Sequence, residues 1–143
     1  MGEKHYATCD WKPSEGYKSL TPYGEIKMFD DGGHRALEVM LLAVAACLNY
    51  YLVQYVQERK LSIRHIQVEC NAETEMNPER VSKITTKVMI HGALSKQECK
   101  KMVTICERAC KVANTLKYQP KIEVIIDHHE EQAASPRSRT GTR

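Results

Sequence analysis

The sequence lacks most of the patterns that would name a chemistry outright. It contains no G-x-G-x-x-G, no Walker loop, no H-E-x-x-H and no G-x-S-x-G. The usual dinucleotide, nucleoside triphosphate, zinc-protease and serine-hydrolase signatures are therefore absent. Its six cysteines, at 9, 47, 70, 99, 106 and 110, form no C-x-x-C pair. The opening residues MGEKHYATCDW hold no apolar run, so no secretory signal is expected and the chain reads as cytoplasmic. In a reducing compartment structural disulfides are disfavoured. Most of the thiols should be buried and inert, with redox work for one or two. The net charge is only +3 and no basic block precedes the C-terminal tail, so no nucleic-acid partner is expected. No Arg occurs before Arg35.

What the sequence does have is one long apolar stretch, Ala36–Lys60. Thirteen of its residues, Ala36–Leu48, carry a single charge, Glu38, and neither Gly nor Pro interrupts the run. As a helix it would be roughly 37 Å long at about 1.5 Å per residue. Its first half is apolar on every face, which predicts a helix buried on all sides. A membrane span is disfavoured because Glu38, Asn49 and Gln54 fall inside any 20-residue window. The length of 143 residues suits one domain, placed at 1–127. His128–Arg143 holds no apolar residue larger than Ala and is expected to be a disordered tail.

Around the long helix the pattern predicts short strands over residues 3–11, 16–20 and 24–29, with turns at Pro13–Gly16 and Asp30–Gly33. Ile66, Val68 and Cys70 alternate with polar residues, as do Ile84, Thr86, Val88 and Ile90, which predicts a hairpin turning near Asn77-Pro78. Ser95 and Glu98 make an S-x-x-E capping box that opens a second helix. Cys99, Met102, Val103, Cys106, Cys110 and Ala113 form its apolar stripe, and Asn114-Thr115 should end it. A last strand is expected over Lys121–Asp127. Strands and helices do not alternate regularly, so the class is α+β with antiparallel sheets and two long helices. A helix apolar all round needs more cover than one such chain supplies, which predicts a homodimer with the helices between two sheets.

Three groups of residues could carry chemistry. Cys47 and Cys110, 63 residues apart on the two helices, could meet as a redox pair if one thiol ionised readily. Cys106 and Cys110, one turn apart, could share a soft metal, although core packing is the simpler reading and no metal or cofactor is expected. Glu38 could pair with Arg35 or simply favour the helix dipole.

The segment GGHRALEVMLLAVAACL resembles a motif of the OsmC/Ohr family (osmotically inducible protein C and organic hydroperoxide resistance protein). In that motif a Gly-rich turn leads to a helix carrying a Glu and, nine or ten residues on, a Cys. ERACKVANTL resembles the family's second Cys motif. The resemblance implies an OsmC-like fold, an intertwined homodimer with active sites at its interface, and reduction of organic hydroperoxides. It makes Cys47 the peroxidatic thiol, Cys110 the resolving thiol and Glu38 the active-site carboxylate, with a dithiol as reductant. The family's Arg comes from the N-terminal region, where this chain has none, so Arg35 is the candidate substitute. Lys111 stands where the family has Pro. The alternative is a non-catalytic dimer of the same fold that binds an apolar ligand or senses redox state.

Overall fold

A long two-stranded ribbon and the helix laid against it organise the chain. In the computed structural model, which describes residues 2–131, the elements run β1 (Thr8–Lys12), β2 (Gly16–Thr21), β3 (Gly24–Glu25), α1 (Ala36–Glu58), β4 (Ile63–Glu75), β5 (Arg80–Gly92), α2 (Lys96–Ala109) and α3 (Lys111–Lys117). β1–β3 form one antiparallel sheet in that order, and β4 pairs with β5 in another. The α+β class and the hairpin are as the sequence predicts. Ile66↔Ile90 and Val68↔Val88 are paired across the ribbon, so alternation gives it one apolar face toward α1 and one wet face. The third expected strand shrinks to two residues, and the loop after it is pinned by a bridge between Met28 and His34. Gly33 fits there because a Cβ would meet the Met28 carbonyl carbon at 2.6 Å.

α1 follows from its composition and ends in a defined way. The Lys60 N–H donates to the Gln57 carbonyl at 3.2 Å and the Leu61 N–H to the Val56 carbonyl at 3.0 Å. Lys60 sits at φ 52°, in the left-handed region. This is a Schellman stop built on a lysine rather than a glycine, with Leu61 and Val56 both packed against the core. At the other end of the hairpin the capping box forms as expected. The Ser95 hydroxyl accepts from the Glu98 N–H at 3.1 Å, and the Glu98 carboxylate accepts from the Ser95 N–H at 2.8 Å. The Ser95 N–H first, and the Ser95 side chain second, hold the Glu98 carboxyl below its ordinary pKa.

The core is one seam. Leu48 and Leu52 of α1 meet Met102 and Cys106 of α2 and Cys110, with Ile66, Val68, Val88 and Ile90 of the ribbon packed around them. The second helix is not one piece. α2 stops at Ala109, Cys110 is extended at φ −64°, ψ 107°, and α3 starts after it. The Asn114 side-chain amide donates to the Arg108 carbonyl at 3.0 Å, satisfying an acceptor that the broken helix leaves open. The expected two long helices are thus three, of 23, 14 and 7 residues.

The last expected strand, Lys121–Asp127, does not form. Ile122, Val124, Ile125 and Ile126 are 83–89% exposed. Their β-branched side chains favour a strand, but a strand needs a neighbour to pair with, and none of this chain's edges takes them. Residues 128–131 carry no helix or strand either, and the rest of the expected tail lies outside the described residues. α1 is also short of cover. It is long and apolar enough to cross a membrane by length and composition, yet only 17% of its apolar window is buried. β1–β3 makes no substantial contact with any other helix or strand. The accessible surface is 13003 Å², against roughly 7500 Å² expected of a compact 16 kDa monomer.

Candidate active site

The seam between α1 and α2 brings thiols together. Cys47 lies next to Leu48 on α1 and packs against the cluster that contains Cys110. Cys110 is fully buried at the joint between α2 and α3, and Cys106 is buried one turn earlier. The Cys47 and Cys110 thiols are near enough to act on each other's ionisation. Burial pushes the Cys110 pKa up, and the adjacent Cys47 thiol adds to this. The Ala113 and Val112 N–H groups oppose it, since they lie toward the sulfur at the start of α3. Neither closes a cap hydrogen bond of ordinary geometry. Cys110 is therefore a protonated thiol at neutral pH. Beside it opens a groove of about 1100 Å³, walled by Met40, Val44 and Leu48 of α1, Val88 of β5, Leu116 of α3 and Cys110 itself.

Of the four residues singled out from the sequence, Cys47 and Cys110 meet, whereas Arg35 and Glu38 do not join them. Arg35 is the N-cap residue of α1 and makes no side-chain cap bond, and Glu38 is in the first turn. Both are exposed, and no ion pair within 4.0 Å links them. Of the two readings left open for Glu38, the one that favours the helix dipole fits this placement. Across nine residues of helix, Glu38 lies about 13 Å from Cys47 along the axis and about 180° round. Neither Arg35 nor Glu38 reaches the thiols within one chain.

A cation that the sequence does not single out acts on the buried Cys106. Arg59, the C-cap residue of α1, stacks over the Tyr55 ring at 3.6 Å. Its charge acts on Cys106, partly offsetting the burial that raises that thiol's pKa. Among the described residues no group of three His, Cys, Asp or Glu side chains is placed to hold a metal, so Cys106 and Cys110 have no further ligand of those types.

The α+β scaffold thus sets a thiol on its long apolar helix near one at the joint between the two helices that follow. The family model for OsmC-like proteins matches residues 29–125, and the chain belongs to that family. Among solved structures it is similar to an OsmC-like protein from Mycoplasma pneumoniae, with TM-score 0.71 and 18% identity over 82% of this chain and 89% of that one. It is also similar to an organic hydroperoxide resistance protein, OsmC, from Legionella pneumophila (TM-score 0.56, 16% identity, 80% and 90% covered). A third is the organic hydroperoxide resistance protein OhrB of Bacillus subtilis (TM-score 0.56, 13% identity, 82% and 93% covered). At these identities the likeness is one of fold. No curated protein matches the sequence significantly.

Proposed function

We propose that the protein is a cytoplasmic, thiol-dependent peroxidase that reduces organic hydroperoxides as a homodimer. The observation that carries this reading is the pairing of Cys47 with Cys110, which lines a largely apolar groove, in a chain of the OsmC-like family. The Cys47 thiolate attacks the distal oxygen of the hydroperoxide. The O–O bond breaks, the leaving alkoxide takes up the proton that Cys47 gave up on ionising and departs as the alcohol, and Cys47 becomes a sulfenic acid. Cys110 arrives as a thiol. Its sulfur bonds to the Cys47 sulfur, and its proton leaves with the sulfenic oxygen as water. A dithiol then reduces the disulfide by exchange, taking the oxidation onto itself.

The dimer is part of the same reading. The bare face of α1, the excess surface, the detached β1–β3 sheet and the exposed Ile122–Ile126 segment are all met by a second copy of the chain. Arg35 and Glu38, remote from the thiols of their own chain, would then act across the interface. The test is consumption of cumene hydroperoxide in the presence of a dithiol. Turnover should be lost in Cys47→Ser, and an unchanged rate in that variant would refute the assignment.

A second reading is favoured by one observation. The Arg59 guanidinium acts on Cys106, and no cation is among the groups that shift Cys110. A non-catalytic dimer that binds an apolar ligand or senses redox state would show slow alkylation of Cys47 at neutral pH and no turnover. Fast alkylation together with turnover would reject it.

A further inference from the structure

The wet face of the ribbon carries a group of side chains that neither packing nor the thiol chemistry uses. His65 of β4 and His91 of β5 stand directly opposite each other. Their rings are stacked, with centroids 5.5 Å apart and planes 11° from parallel. Both are exposed, and neither is in an ion pair with a carboxylate among the described residues. Met89 precedes His91 by two residues, so it shares that face and lies opposite Gln67. It is 37% exposed. The apolar residues of the ribbon, Ile66, Val68, Val88 and Ile90, point the other way, toward the core. Packing therefore gives no reason for a methionine among Gln67, Glu69 and Lys87.

We propose that His65, His91 and Met89 form a copper(I) site on the outer face of the ribbon. Directly opposed residues have Cβ atoms about 5 Å apart and diagonal ones about 7–8 Å, within reach of long side chains. Met89 has three rotatable bonds and can close the diagonal to His65. The two imidazoles must turn from stacked to convergent, a rotamer change that exposed side chains make freely. The donor set selects the ion. A thioether favours soft copper(I), imidazole is shared by copper, zinc, iron and nickel, and copper is the metal common to both. No third His, Cys, Asp or Glu is placed with the pair among the described residues, which works against zinc. The site lies on the opposite face of the ribbon from Cys47 and Cys110, so it stands independently of the peroxidase reading.

The test is an anaerobic titration of the reduced full chain with cuprous ion against a chromogenic copper(I) chelator. The variants are His65→Ala, His91→Ala, Met89→Leu and the double variant Cys47→Ser/Cys110→Ser. All three single changes are at exposed positions, so folding is retained, and circular dichroism checks it. Either histidine variant should lose one bound equivalent relative to wild type, and Met89→Leu should hold that equivalent more weakly. The thiol double variant should keep it. If the histidine variants bind the same number of ions with the same affinities as wild type, all the copper is on thiols and the proposal is overturned. If Met89→Leu titrates as wild type, the thioether is not a ligand and the copper(I) assignment is overturned.

Discussion

Replacing Ile122, Val124 and Ile126 together with Ser should break the dimer. In one chain these side chains are 83%, 85% and 86% exposed, so nearly their whole apolar area is available for burial against a second copy. Full burial of such a side chain contributes about 1.5–3 kcal/mol. Three of them give roughly 5–9 kcal/mol per subunit, an upper bound because the free segment is already partly collapsed. The cost of ordering the backbone is nearly common to the parent and the variant and largely cancels in the comparison. If even about 3 kcal/mol survives per dimer, the dissociation constant rises more than about a hundredfold. Sedimentation velocity across the micromolar range reads this directly. The matching control is Glu123→Ser/Asp127→Ser, on the alternate face of an extended segment, which should leave the assembly intact. A triple variant that sediments with the parent dimer, or a parent that is monomeric throughout, would refute the reasoning.

Other consequences are open to simpler measurements. Cys110→Ser should still consume one equivalent of hydroperoxide and then stall, leaving a sulfenic acid that dimedone labels at Cys47; continued turnover would remove Cys110 from the cycle. Lys60→Gly relieves a left-handed residue at the end of α1 and should stabilise the fold by about 1 kcal/mol, seen as a higher denaturation midpoint. Burial raises the folded-state pKa of both Cys106 and Cys110 above their ordinary 9.0. Near and above that value the unfolded chain releases protons that the folded chain keeps. Their contribution is therefore whole below about pH 9 and is lost as pH rises beyond it. Melting temperature should fall as pH rises above about 9, less steeply in Cys106→Ala, and a flat profile in the parent would contradict the burial argument.

Alternation along β4 and β5 showed the ribbon in the sequence, and Ser95 with Glu98 showed where α2 begins, because both signals are local. The meeting of Cys47 with Cys110 was legible through the family motifs rather than from periodicity alone. The break at Cys110 was not legible. Ala113 continues the helical spacing, and the Asn114 bond to the Arg108 carbonyl is a tertiary choice that a count of apolar positions does not register. The end of α1 was equally hidden, since nothing in a lysine's composition marks Lys60 as left-handed. Lys121–Asp127 has the residues of a strand, but propensity describes only one half of a pairing. No local pattern links Arg59 to Cys106; only the packing of α1 on α2 lets its charge act on that thiol. Spacing alone could not choose between the two readings of Glu38; that needed the start of α1 to be seen open to water.

A ribbon of two strands has no interior strand, so each 13-residue strand presents one unpartnered edge along its length. Such margins invite a foreign backbone to add itself. Here charge is spread along both margins: Arg64, Glu69, Glu73 and Glu75 on one strand, Arg80, Lys83 and Lys87 on the other. A newcomer meets it from tip to root, so self-stacking into fibres is discouraged.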